Sequence, residues 1–221
     1  EAAEKTAPPD VADESPYTSE YKGSDRATDE QRARAIGKLE EQEFTNIHLP
    51  DNGAYYYQLD EGRWGDHQYP KVGQDPSPER TLAKSGCAPT ALAIVDATLR
   101  GNGNKTTPPE VADFAVDHGK SGKPGSYGSN PPGLVKDWAE AHNLDRVEIK
   151  DKDMDKLRDG LEAGGVAVVM VKPNSIFNKG GHVIAITGYA VDKHGKEWFF
   201  VADPGHKNPK TSDDLVVDKE L

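Results

Sequence analysis

Sulfur is scarce in this chain, with one cysteine and two methionines among 221 residues. A lone thiol excludes an internal disulfide, and without a partner thiol it also excludes the paired-cysteine zinc sites. No apolar run approaches the roughly 18 residues needed to span a bilayer. No basic cluster stands out against a formal charge of −11, from 38 acidic and 27 basic residues, which argues against nucleic acid or an anionic membrane surface as partner. The glycine-rich stretch from Lys120 to Gly128 has neither a preceding strand nor a lysine at the phosphate-binding position, which argues against a nucleotide cradle. No cofactor is expected. A start at Glu1 rather than methionine fits either removal of a targeting segment or a cut boundary, and the composition agrees with a secreted or cell-envelope setting.

The single cysteine is informative because of where it falls. Ser85-Gly86-Cys87-Ala88-Pro89-Thr90 places Cys87 at the start of a predicted helix that runs to Arg100, with Pro89 tolerated in the first turn and Gly101 as a stop. Leu92, Val95 and Leu99 recur at helical spacing and form its expected inner face. A thiol at that end meets the positive pole of the helix dipole, which favours the thiolate. Cys87 is therefore a candidate nucleophile, although lone cysteines are also common as inert core residues.

A base is available on a predicted β-hairpin. His182 to Val191 reads as one strand and Glu197 to Ala202 as its partner, joined by the turn signal Asp192-Lys193-His194-Gly195. If the loop is centred on His194, paired residue numbers sum to about 388 and the position facing His182 lies near 206. Asp203 is within a few positions of that point, just before Pro204 ends the pairing. A carboxylate there can orient an imidazole, the third role in a nucleophile, base and orienter set. The alternative is that His182 caps a strand and Asp203-Pro204 turns the chain.

Elsewhere the chain reads as alternating elements without repeats. Residues 1–27, rich in Pro, Glu, Asp, Ser and Thr, hold too little apolar surface to fold and are expected to be a disordered lead-in. Residues 28–50 are read as an N-terminal helical extension, in which Thr28 and Gln31 form a capping box and a helix follows from Asp29 to about Glu43. Its apolar face, chiefly Ile36 and Leu39, predicts light docking or a surface arm, and such an arm could serve as a pro-region. Residues 51–221 form the main domain. Within it, Thr107-Pro108-Pro109-Glu110 starts a helix carrying Val111, Phe114 and Ala115, and a further helix spans about Leu134 to Ala141 with Leu134, Val135 and Trp138 inward. Val166 to Val171 is continuously apolar and predicts a buried strand. Asp151, Asp153, Asp155, Asp159 and Glu162 mimic a calcium-loop spacing, but Lys156 stands where the turn needs glycine. Leu157 and Leu161 favour an ordinary helix capped near Asp153.

The order cysteine, histidine, aspartate resembles the papain-type arrangement, and residues 55–204 resemble the stand-alone, secreted branch of the bacteriocin-processing (double-glycine) peptidase-like family. Four blocks carry the likeness: Tyr55-Tyr56-Tyr57-Gln58-Leu59-Asp60 with Arg63-Trp64 and Tyr69; Ser85 to Ala93; Gly181 to Gly188; and Val201-Ala202-Asp203-Pro204. The resemblance implies an α+β, papain-like cysteine peptidase fold, a helical part carrying the nucleophile packed on an antiparallel sheet carrying His and Asp. It implies Cys87 as nucleophile, His182 as general base, Asp203 as its orienter, and Gln58, with the Cys87 amide, as stabiliser of the oxyanion. Two departures stand out: Ala88 replaces the family's usual glycine, and Gln58 lies farther ahead of Cys87 than in transporter-borne leader peptidases, leaving Gln68 and Gln74 as rivals. The expected activity is hydrolysis of a peptide bond in a peptide or protein by a monomeric enzyme. The alternatives are a catalytically silent papain-like adaptor, or an amidase or acyl transferase with the same nucleophile and base.

Overall fold

A computed structural model describes residues 28–205, apart from 52, 61, 102–105, 127, 151 and 176, together with the backbone of 215–217. The expected lead-in, 1–27, lies outside the described residues. The elements in chain order are α1 (Asp29–Glu41), β1 (Thr45–His48), α2 (Leu82–Ser85), α3 (Cys87–Arg100), α4 (Pro108–Asp117), α5 (Pro131–Ala141), α6 (Met154–Glu162), β2 (Ala167–Val171), β3 (His182–Val191), β4 (Glu197–Ala202) and β5 (Leu215–Val217). The five strands form one antiparallel sheet in which β3 is the hub: β4 lies on one side, then β5, while β1 and β2 share the other side of β3 end to end. Helices with an antiparallel sheet make this the expected α+β, papain-like architecture.

The β3–β4 hairpin shows how closely turn chemistry sets register. Gly195 takes a positive φ of 77°, and Asp192 Oδ1 accepts from His194 N at 2.8 Å and Lys196 N at 3.0 Å, closing the turn. Val191 pairs with Glu197, Tyr189 with Phe199 and Gly188 with Phe200, the register expected from a loop centred on His194. Between Ile186 and Gly188 the ladder slips by one, so Ile186 faces Val201 and Ala185 faces Ala202. Thr187 is the extra residue of a β-bulge.

The bulge changes which residues face which core. Ahead of it, Val183 and Ala185 join one cluster and Ile184 and Ile186 the other; beyond it, Ala190 joins the first and Tyr189 the second. β4 keeps a strict alternation, with Trp198, Phe200 and Ala202 in the first cluster and Phe199 and Val201 in the second. One inserted residue therefore reverses the parity of β3, because side chains alternate with a period of two. Gly188 is required beside the bulge: a Cβ there would stand 2.6 Å from the His48 carbonyl oxygen and 3.0 Å from Phe200 Cδ2.

The first cluster lies between the sheet and α3, which packs on β3 and α4 and is buried from Ala88 through Thr98. The expected stripe is corrected here. Leu92 and Val95 are buried, but Leu99 is 45% exposed, and Ala91, Ile94 and Ala97 fill the interior instead. An alanine-rich helix enclosed by a sheet and another helix has no polar face, so even Asp96 is buried. It is compensated by Arg100 Nε at 2.9 Å and Nη2 at 2.5 Å and by the Thr106 hydroxyl at 2.6 Å.

The capping expectations hold. Thr28 and Gln31 exchange both bonds of the capping box on α1, Thr107 N donates to Glu110 Oε2 at 3.4 Å on α4, and Asp153 Oδ1 accepts from Lys156 N at 3.2 Å on α6. α5 begins earlier than expected, at Pro131, because Asn130 Oδ1 accepts from Gly133 N at 3.2 Å and two prolines occupy the first turn. Two expectations are overturned. α1 is no lightly docked arm, since Ala35 and Leu39 are fully buried in the first cluster and β1 completes the sheet beside β3. β2 is no buried strand: it pairs only with β3 and leaves Met170 59% exposed. A continuous apolar run does not distinguish an interior strand from such an edge.

Candidate active site

The site forms where the start of α3 meets the open end of the β3–β4 hairpin. Gly86 turns the chain from α2 into α3, its N–H donating to the Leu82 carbonyl at 2.7 Å. A Cβ on Gly86 would lie 2.5 Å from Leu82 Cδ2 and 2.6 Å from the Leu82 carbonyl oxygen, so only glycine permits the close junction that sets Cys87 at the first helical position. The Cys87 thiol is half-buried, while the helix behind it is enclosed. That is the exposure a nucleophile needs.

His182 is the first residue of β3 and Asp203 follows the last residue of β4. Both side chains are buried, and His182 Nε2 stands 2.6 Å from Asp203 Oδ1. With Nε2 at the carboxylate, Nδ1 is the other ring nitrogen, and Cys87 is near enough to the imidazole to act on it by hydrogen bonding and charge. Burial works against the charged imidazole, but the hydrogen bond to Asp203, the bond to Cys87 and the negative charge of both partners outweigh it and raise the His182 pKa to about 9. Two further donors hold Asp203. Gly205 N–H donates to the same Oδ1 at 2.8 Å, and the Tyr55 hydroxyl donates to the Asp203 main-chain carbonyl at 2.9 Å.

The segment 54–58 runs between these two halves. Ala54 N donates to Thr98 Oγ1 at 2.9 Å and Gln58 N to the Pro204 carbonyl at 3.1 Å. The buried Gln58 amide directs Nε2 toward the carbonyls of Leu82, at 3.4 Å, and Ala83, at 3.2 Å, and its Oε1 has no partner. Gln58 therefore sits against the turn that delivers Cys87. Its rivals are placed differently: Gln68 Nε2 reaches only the Asp66 carbonyl at 3.4 Å, from a bridge with Thr81, and Gln74 closes a turn through its N–H to Lys71.

On the other side of the cysteine, the buried Tyr69 hydroxyl is hydrogen-bonded to Ser129 of the glycine-rich loop. Burial, and secondarily the charge of Cys87, push its pKa up, against the bond to Ser129, so Tyr69 stays a neutral phenol beside the thiol. Lys71 Nζ and Val72 N tie the glycine-rich loop back through Ser126 and Gly122. Sequence reasoning named Tyr55 and Tyr69 only as parts of a family block and gave neither a contact. Gly205 carried no sequence signal beyond following a proline.

A helix-borne thiol facing the open end of an antiparallel hairpin defines an α+β protein of papain-like architecture. The chain belongs to the Peptidase_C39 like family, whose model matches residues 51–218. No curated protein and no solved structure matches it. Family membership points to a hydrolase of the cysteine peptidase type. Among the described residues no helix is long and apolar enough to cross a membrane.

Proposed function

We propose that this chain is a cysteine peptidase that hydrolyses a peptide bond with Cys87, His182 and Asp203. The observation that supports it most is the buried 2.6 Å contact of His182 Nε2 with Asp203 Oδ1, beside a cysteine that acts on the same imidazole. That arrangement holds the ring in one tautomer and keeps its proton at the edge where a leaving group departs.

The sulfur of thiolate Cys87 attacks the substrate carbonyl carbon, the C–S bond forms, and the carbonyl π electrons move to oxygen. The Cys87 backbone N–H, at the start of α3, and Gln58 Nε2 donate to that oxyanion, Gln58 turning from the long contacts it makes with Leu82 and Ala83. Collapse re-forms the carbonyl and breaks the C–N bond, and the departing amine takes the proton from His182 Nδ1. The resulting thioester is attacked by water, which gives a proton to Nδ1; the C–S bond breaks, the acid leaves, and the thiolate and imidazolium are restored. Asp203 remains a carboxylate throughout and holds Nε2.

A peptide or protein substrate, a monomeric enzyme and an extracellular or envelope setting complete this reading, the last resting on the resemblance of residues 55–204 to the secreted branch of the family, with which the acidic composition agrees. The test is incubation of the full chain with a mixed peptide library and mass spectrometry of the products, with Cys87→Ser as control. New carboxyl termini that depend on Cys87 support it. Products joined to an added amine in preference to water would make the protein an acyl transferase, and no turnover from a normally alkylated thiol would make it a silent module.

A further inference from the structure

The steps above give no work to Tyr55, although it is placed to do some. Its ring is 2% exposed and set edge-on against Tyr57, with centroids 4.6 Å apart at 77°, so the hydroxyl has a fixed aim. That aim is the backbone carbonyl of Asp203, 2.9 Å away. Asp203 lies one residue beyond Ala202, the last residue of β4 in the β3–β4 register. Its main chain is fastened from a remote strip of sequence: Tyr55 takes the carbonyl of Asp203 and Gln58 N–H takes the carbonyl of Pro204 at 3.1 Å. The same strip is tied through Ala54 to Thr98 of α3, the helix that begins at Cys87.

We propose that Tyr55 is a positioning residue of the active site, whose hydroxyl fixes the Asp203 carboxylate on His182 and thereby the imidazole against the Cys87 sulfur. This rests on the Cys87, His182 and Asp203 reading above. The reason is geometric. A carboxylate orients an imidazole only while its own backbone is still, and a residue past the end of a strand keeps its place only through bonds such as this one. The charged or titratable groups that act on His182 are Asp203 from the end of β4 and Cys87 from α3.

The experiment uses the full chain and needs no known substrate. Alkylation of Cys87 by iodoacetamide is followed from pH 5 to pH 10, ranges chosen to bracket an ordinary histidine and thiol, for wild type, Tyr55→Phe and Asp203→Asn, with melting temperatures measured alongside. Tyr55→Phe keeps the ring and removes only the bond. It is expected to slow alkylation at acid pH by about fivefold, and to move the alkaline inflection that reports His182 downward, toward the profile of Asp203→Asn. A tyrosine that merely packs would lower the melting temperature and leave the profile superimposable on wild type, which overturns the proposal. If Asp203→Asn shifts the profile and Tyr55→Phe does not, Tyr55 alone is misassigned. If Asp203→Asn also leaves it unmoved, the underlying reading of the site fails with it.

Discussion

His182 and Asp203 meet through Nε2 and Oδ1 at 2.6 Å, both buried, across the mouth of a single hairpin. The carboxylate keeps the imidazole protonated until pH is near 9. Protonation of the departing amine needs that proton, so kcat/KM is expected to fall as pH rises through about 9, whereas an unpaired histidine would give a limb near 6.5. At pH 6, His182→Ala should slow iodoacetamide alkylation of Cys87 by about tenfold or more, because the thiolate loses its counter-ion. Equal alkylation rates in the two proteins would remove His182 from the pair.

Stability should follow the same proton. The folded pKa of His182 lies above its unfolded value, so the folded state binds the proton more tightly. The contribution is complete below about pH 6.5 and is lost as pH rises toward about 9. The unfolding free energies of wild type and Asp203→Asn should accordingly differ most near pH 6, by on the order of 2 kcal/mol, and their melting temperatures should converge by about pH 10. A gap that widened with pH would reverse the assignment of charge.

Gly205 presses against the pair without contributing a side chain. A Cβ at that position would lie 3.2 Å from Asp203 Oδ1, 3.3 Å from His182 Nε2 and 3.4 Å from Cε1. Gly205→Ala should push the ring and carboxylate apart by a few tenths of an ångström and lower kcat by about tenfold with KM little changed. Steady-state kinetics on any cleaved peptide will show whether the loss falls on kcat or on KM.

For Gln58, the informative comparison is between acylation and alkylation. Gln58→Ala should lower the acylation rate about a hundredfold and leave alkylation of Cys87 unchanged, since an oxyanion donor acts only once negative charge reaches the carbonyl oxygen. The Gln68→Ala and Gln74→Ala variants should acylate normally. If Gln58→Ala only lowers the melting temperature, its amide serves the Leu82 and Ala83 carbonyls and nothing more.

Asp96 provides a control remote from the chemistry. Its carboxylate is fully buried and bound by Arg100 and Thr106. Asp96→Ala should cost about 3 kcal/mol, by removing the buried carboxylate that joins Arg100 and Thr106, and lower the melting temperature by roughly 6–12 °C. Alkylation of Cys87 at a temperature where the variant is folded should match wild type.

The hairpin was legible almost to the residue because a turn with glycine at its left-handed position fixes a register. The sum of about 388 holds from Val191 to Gly188. It fails by one at the site end because Thr187 is inserted; Gly188 beside it, a glycine inside a strand, is the mark of the bulge that the register count does not use. Helix starts were legible at Thr28, Thr107 and Asp153, where a side chain satisfies free N–H groups; Pro131 was missed because Asn130 was not read as a cap. Leu99 departs from its expected place because α3 is buried on every side from Ala88 to Thr98 and emerges only at its last two residues, so exposure there follows the end of the helix and not a face. β2 was misplaced because continuous apolarity cannot say how many neighbours a strand has. What no local pattern could reveal is the Tyr55 bond, which joins residues 148 apart in sequence.

That long-range bond has a consequence for the order in which the protein becomes reactive. As a ribosome extends the chain, Tyr55, Gln58 and Cys87 emerge well ahead of His182, and Asp203 comes later still. Until the hairpin closes and its far end is fastened to the waiting tyrosine, the thiol lacks both its counter-ion and its proton carrier. On the proposed reading, a newly made chain is thus disarmed by topology until the hairpin closes.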